Sequence, residues 1–588
     1  MKKILSFLGF FLTCGGAVAA EPLVKPSVGD DFALPEKIRQ AQRLDELKKQ
    51  LDEQDFIARP TKQTSELQLK HLVVQESPCV QIQQVQLDLT ASPEPKQDQQ
   101  RFQFILNKLT HPKKYSIVGQ CIGTQSLQNI LRYAQNELIK AGYITTQITA
   151  VPQDLNQGTL LLKIYPGRLA KIIEPSQILS SRQLYTAFPI HSGDVLNIKA
   201  LDQGLENLRR VSNLVIDMQI IPAQESGQQQ AGYSDLQINV QPYRKWGASL
   251  NVDNSGSKST GEYIGALGLS LNNPLKLNDS LNLNLSHSLD DWEKDRNQSY
   301  YISYQMPFGY YDFGLSYNWY RYDQYVAGFN APIHYQGESE QTNLNFSRVI
   351  SRDGQHKTSL YAKAYHKQNK NFIEDIEIEV QRRITTGWNL GIQHRQYLGN
   401  AVLDASLDYR RGTGALNAQP APEEQIKDAN QNPLPSEGYA RAPIWSADLR
   451  YTQPFSILEQ PVQYRLSWRG QYAPKILVPQ DRFYIGGRYS VRGFDGELML
   501  SGDNGHYLQQ EISFNSPLPN TQFYTAIDQG WVNGRNSIPG KRYLMGSVFG
   551  ARYYYQRFYL DAFTGHGLVA PQHIKKEWVG GFSLNYSY

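Results

Sequence analysis

In the second half of the chain, apolar and polar residues alternate with a period of two. Leu267, Leu269 and Leu271 are separated by Gly268 and Ser270; after Asn278-Asp279, Leu281, Leu283 and Leu285 are separated by Asn282 and Asn284. Such a period puts every leucine on one face, so the segment reads as two adjacent β-strands joined by a turn. The intervening residues are small or polar. They suit a face that meets water, as on the inner wall of a wide barrel, better than one packed on a second apolar sheet.

Aromatic residues divide the chain at about residue 244. All eight Trp, from Trp246 to Trp578, and 30 of the 37 Tyr lie after Tyr243. Rings with a polar tip concentrate where hydrocarbon meets headgroups, although a carbohydrate-binding β-sandwich could share this cue. Residues 1–20 read as a secretory signal: Lys2-Lys3, an apolar run from Ile4 to Leu12, then small residues through Ala17-Val18-Ala19-Ala20. Lipidation at Cys14 is poorly served by Phe11 and Thr13. Beyond the signal no run of eighteen apolar residues occurs, which excludes helical spans. Only a closed barrel then satisfies the backbone in lipid. At the far end Phe582, Leu584, Tyr586 and Tyr588 alternate with Ser583, Asn585 and Ser587. This resembles the terminal strand of outer-membrane barrels, many of which end in Phe rather than Tyr.

The net charge of +4 includes Lys2 and Lys3, so the exported chain is near neutral and carries no nucleic-acid footprint. Cys79 and Cys121 remain once Cys14 leaves with the signal. In an oxidising compartment they are expected to pair, and the loop so closed contributes about 4 kcal/mol by chain entropy. A redox role would want a C-x-x-C spacing, which is missing.

At 588 residues the chain exceeds one core. Residues 35–55 are charged and helix-favouring, with Ile38, Leu44, Leu47 and Leu51 as a narrow apolar stripe; they form either a solvated leader or a helix that docks elsewhere on the protein. Residues 56–67 read as a linker. Two small α+β units follow over 68–167 and 168–243. The first has a strand near Val80–Leu89, a helix near Gln125–Lys140, a Gly142-Tyr143 turn and a strand near Leu160–Ile164. The second has a helix near Leu201–Arg210 and a strand near Asp235–Gln241. Residues 244–588 form the barrel, with a long loop from Arg411 to Pro443, whose five prolines (Pro420, Pro422, Pro433, Pro435, Pro443) argue against a membrane strand. No G-x-S-x-G, H-E-x-x-H, phosphate loop or His/Cys cluster is present, so no catalytic residue, metal or cofactor is expected.

Several motifs then occur in a characteristic order. They are Gln157-Gly158-Thr159-Leu160, Tyr165-Pro166-Gly167-Arg168, Leu201-Asp202-Gln203-Gly204-Leu205-Glu206, Asp253-Asn254-Ser255-Gly256, Leu271-Asn272-Asn273-Pro274-Leu275 and Pro307-Phe308-Gly309-Tyr310. Gly486-Gly487 with Val491-Arg492-Gly493-Phe494, and Ala526-Ile527-Asp528-Gln529-Gly530, are the most diagnostic. Over nearly the whole exported chain the sequence resembles the two-partner secretion transporters that export haemolysins, filamentous haemagglutinins and contact-inhibition toxins.

The resemblance implies a transmembrane antiparallel β-barrel of 16 strands, expected to be monomeric in outer-membrane lipid, preceded by two periplasmic POTRA domains and an N-terminal plug helix. It implies that the lumen loop carrying Val491, Arg492, Gly493 and Phe494 meets the wall at Asp528 and Gly530, with Arg492 paired to Asp528. It also implies that the POTRA domains capture an unfolded, β-helical exoprotein, which crosses without ATP. An assembly factor inserting other barrels would share the loop but usually carries more POTRA units. A passive porin would leave the first 240 residues without a role. The identity of the exoprotein is not written in this chain.

Overall fold

The computed structural model describes residues 34–53, 72–111, 115–210, 214–225, 228–242, 244–290, 296–326, 331–421, 424–425, 427, 438–534 and 542–588. The signal and linker readings fall outside these residues. The described helices are α1 (Leu34–Glu53), α2 (Pro95–Leu109), α3 (Thr124–Ala141), α4 (Ser181–Ala187) and α5 (Ile198–Arg209). None is long and apolar enough to cross a membrane.

In the first α+β unit, strand Thr159–Tyr165 lies between Gln84–Asp88, which is parallel to it, and Gln147–Ala150, which is antiparallel. Leu160, Leu162 and Ile164 point from this central strand into a core completed by Phe102, Ile105 and Leu109 of α2 and Ile130, Ala134 and Leu138 of α3. Helix α2 has no counterpart in the sequence reading. Its first two turns are polar, and only Pro95 at its start and the 102/105/109 spacing mark it. Helix α3 stops at Gly142, whose φ of +102° closes the turn before Tyr143. Cys79 and Cys121 are bonded across the edge of this unit, their Cα atoms 5.4 Å apart.

The second unit repeats the theme, with Gln228–Val240 between Arg168–Ile173 and Ile216–Glu225. Helix α4, also missing from the sequence reading, begins with a capping box between Ser180 and Gln183. The two units meet at Arg168. Its guanidinium, nearly buried, donates to Asp98 at 2.5 Å and to the Gly193 carbonyl at 2.7 Å, so the Tyr-Pro-Gly-Arg motif forms their joint.

Sixteen long strands close the barrel. The strand Ile264–Asn272 pairs with Ser280–Ser288 so that Leu267 faces Leu285, Leu269 faces Leu283 and Leu271 faces Leu281. The apolar face looks outward, where Leu271 is 46% exposed. The polar face looks inward, where Ser286 and Ser299 hydroxyls meet at 2.7 Å. Aromatics mark both rims: Trp246 stacks on Tyr588 at 5.1 Å at one end, and Trp578 stands at the opposite end of the last strand. The proline-rich loop is shorter than the sequence reading proposed. Strand Ala401–Thr413 continues past Arg411, and the next strand begins at Pro443, opposite Arg411. A proline is tolerated at the first position of a strand, where the missing N–H breaks little of the ladder.

Candidate functional site in the barrel lumen

Between strands Gln460–Tyr472 and Asn504–Asn515 the chain turns into the lumen. Its two arms, Phe483–Ile485 and Leu500–Gly502, pair with each other. Ile485, Val491, Phe494 and Leu500 are buried with Val532 and Leu544 of the wall. Gly493 has φ +102°, a conformation a side chain would resist, and it turns the tip between Arg492 and Phe494.

Asp528, wholly buried on strand Thr521–Asn533, accepts three bonds from Arg492: Nε to Oδ2 at 2.8 Å, Nη2 to Oδ1 at 3.1 Å, and the backbone N–H to Oδ2 at 2.9 Å. A fork of two donors matches a carboxylate's two oxygens. Arg492 Nη1 also reaches Glu511 at 3.1 Å; Arg552 holds the other Glu511 oxygen at 2.7 Å and reaches Asp561 at 3.4 Å. The loop therefore ends in an alternating chain of three carboxylates and two guanidinia spread over four adjacent strands. Glu511, Arg552 and Asp561 escaped the sequence reading. Arg552 and Asp561 face each other across the hairpin turn at Gln556, which strand pairing could have shown, whereas nothing around Glu511 distinguishes it from other inward polar residues.

Glycines let the loop backbone lie directly on the wall. A Cβ on Gly530 would stand 2.7 Å from Val491 Cγ2, one on Gly546 would stand 1.9 Å from the Arg492 carbonyl oxygen, and one on Gly567 would stand 2.6 Å from the Phe494 ring. Glycine within a strand commonly marks such close approach. Gly546 and Gly567 carry that signal, and the sequence reading passed over them.

Helix α1 occupies the barrel interior and is held mainly by charge. Glu36 accepts from Asn297 at 2.7 Å and from the Tyr320 hydroxyl at 2.9 Å. Arg39 donates to the Gly496 carbonyl of the loop at 2.8 Å, Arg43 to Asp253 at 3.4 Å, and Arg469 of the wall donates to Asp45 at 2.5 Å. Lys37 reaches Asn371 at 2.7 Å. The expected apolar stripe contributes less than these groups: Ile38 and Leu44 are buried, but so are Glu36, Arg39 and Gln40.

The second α+β unit is fastened to the rim. Asn207 donates to the Gly309 carbonyl at 2.8 Å, and Asn278 donates to the Gln183 carbonyl at 2.7 Å. Glu206 accepts from Arg352 at 2.9 Å and also pairs with Lys357. Gly204 packs against Phe188, where a Cβ would stand 2.0 Å from the ring. The Leu-Asp-Gln-Gly-Leu-Glu and Pro-Phe-Gly-Tyr motifs are thus the two sides of one joint. Among the described residues no group of His, Cys, Asp and Glu is arranged to hold a metal.

Comparison with known proteins agrees with this geometry. Residues 232–553 match the family described as haemolysin secretion/activation protein ShlB/FhaC/HecB, residues 100–167 match its ShlB-type POTRA domain, and residues 172–222 match a further POTRA domain. The chain is 30% identical to outer membrane transporter CdiB-2 of Burkholderia pseudomallei, over 81% of this chain and 80% of that one. It is 26% identical to the haemolysin transporter ShlB of Serratia marcescens, over 76% and 77%. The solved structure of CdiB from Acinetobacter baumannii superimposes with a TM-score of 0.86 and 56% identity, covering 96% of this chain and 100% of that one. The chain belongs to the ShlB/FhaC/HecB family and is an outer-membrane transporter of two-partner secretion, its POTRA domains in the periplasm.

Proposed function

We propose that this chain exports one large exoprotein of the contact-dependent-inhibition class, and that α1 is a removable plug while the Arg492 loop is a fixed fitting. The observation that carries this reading is the contrast between their attachments. Helix α1 is held by separate polar contacts to the wall and the loop, each contributing about 0.5–3 kcal/mol and each replaceable by water. The loop is held by a buried ion pair and by backbone packed on glycine.

The toxin class is favoured because several relatives carry the CdiB name. An unfolded exoprotein would add as a strand to a POTRA sheet edge, gaining main-chain hydrogen bonds with little demand on sequence. It would then thread the vacated lumen and fold outside. A folded β-helix cannot re-enter, which supplies direction without ATP. We further propose that the protein works as a monomer in outer-membrane lipid, touches no nucleic acid, and performs transport rather than chemistry.

The test is co-expression with a contact-dependent-inhibition exoprotein of the same cells. The toxin should reach the cell surface with the intact chain and stay periplasmic without it. Surface display in the absence of the chain would sink the proposal.

A further inference from the structure

The barrel is not sealed along its full height. The first strand, Trp246–Asp253, pairs with the last, Trp578–Ser587, only from Ser249 opposite Ser587 to Asp253 opposite Ser583. Beyond Asp253 the chain folds on itself: Ser257 bridges Gly261, and the Gly256 N–H donates to the Glu262 carbonyl at 3.0 Å. The last strand extends further, past the end of its partner.

Backbone groups of even-numbered residues in the last strand face this seam, as Tyr588 does when its N–H donates to the Ala248 carbonyl at 2.8 Å. Above the paired stretch, side chains substitute for a strand. Asn254 accepts the Phe582 N–H at 2.9 Å and donates to the Gly580 carbonyl at 2.9 Å. Arg488 of the inward loop donates to the Phe582 carbonyl at 3.1 Å. Among the described residues nothing reaches the Gly580 N–H or the N–H and carbonyl of Trp578. A Cβ on Gly580 would meet nothing within 4 Å, and Trp578 is 74% exposed. A cavity of about 380 Å³ runs from this edge to Arg39 of α1 and Phe494 of the loop tip.

We propose that the edge Trp578–Gly581 is a strand-addition site for an extended segment of the exported polypeptide as it leaves the lumen. An unpaired sheet edge attracts another backbone, and main-chain pairing makes few side-chain demands. Gly580 leaves the approach open. The occupant is the exported chain because the cavity delivers it from inside, while Lys575, Lys576 and Glu577 at the rim discourage pairing with a second barrel. The inference rests on the export reading.

The test uses the full chain with Gly580→Cys, co-expressed with an exoprotein stalled in transit and carrying single cysteines at successive positions. Thr564→Cys, on the neighbouring strand, is the control. Disulfide adducts at Gly580→Cys should exceed the control several-fold and alternate along the exoprotein with a period of two. Gly580→Pro removes the seam-facing N–H, and should lower export about tenfold, the equivalent of roughly one net hydrogen bond, with barrel heat-modifiability unchanged. Adducts no more abundant than the control, in cells where the wild-type chain exports normally, overturn the edge site and leave the export reading standing. Failure of the wild-type chain to export overturns both.

Discussion

Arg492 and Asp528 are joined by two guanidinium hydrogen bonds and by the backbone N–H of Arg492 itself, so this carboxylate fixes both the side chain and the turn that carries it. Truncating one partner leaves the other buried and uncompensated, at a cost of about 3–5 kcal/mol in a dry site and less in a wet lumen. Arg492→Ala should abolish export while the barrel remains inserted, measured as toxin at the cell surface and heat-modifiable migration of the membrane fraction. Undiminished export would reject a role for this pair.

Gly546→Val tests the close approach from the other side. Its first added carbon would stand 1.9 Å from the Arg492 carbonyl oxygen, so the loop must move off the wall although every charged partner is retained. Export should fall as far as in Arg492→Ala, and protease should cut the loop in intact membranes. Wild-type protease resistance would show that the wall yields instead.

Arg469→Ala removes the guanidinium that holds Asp45 of α1. The helix should spend more time outside the lumen, and planar-bilayer recordings should show more frequent opening than in the wild-type pore. Unchanged conductance would mean that Glu36 and Arg39 suffice to hold it.

The joint between α5 and the rim should loosen in acid. Burial pushes the Glu206 carboxyl up, but Lys357 and Arg352 outweigh burial and hold it below the ordinary carboxylate range. A carboxylate depressed in the folded state contributes stability above its unfolded pKa and loses it as pH falls through the folded value. Asp202, raised by burial, acts in the opposite sense. Hydrogen exchange around Asn207 should quicken below about pH 4, and Glu206→Gln should flatten that response. A response equally steep in the variant would assign it to another group.

Cys79→Ser with Cys121→Ser should destabilise the first POTRA domain by about 4 kcal/mol, from the entropy of the loop the bond closes. Urea titration followed by proteolysis of that domain reads the change. An unshifted midpoint would mean that the bond contributes nothing to its stability.

The barrel was readable because its strands alternate and its aromatics are confined to one part of the chain, both direct consequences of a wall with lipid on one side and water on the other. The motifs located the loop. Helices α2 and α4 were not readable: α2 is polar over its first turns and α4 is only seven residues long, so periodicity had little to act on. The network around Arg492 was legible only in part, because Glu511 becomes distinctive when four strands bring two arginines to it, a long-range pairing that no local pattern records. Helix α1 presented a weak apolar stripe in the sequence. In the lumen its charged residues make most of the attachment, since a wet wall offers them partners that an ordinary core would not.

The most direct measurement asks whether export requires α1 to leave. With Lys37→Cys and Asn371→Cys, positions whose native side chains meet at 2.7 Å, a reducible bifunctional thiol reagent would tether the helix to the wall. Tethered protein should export nothing, and reduction should restore export in the same cells. Export at the wild-type rate with the tether intact would contradict the account.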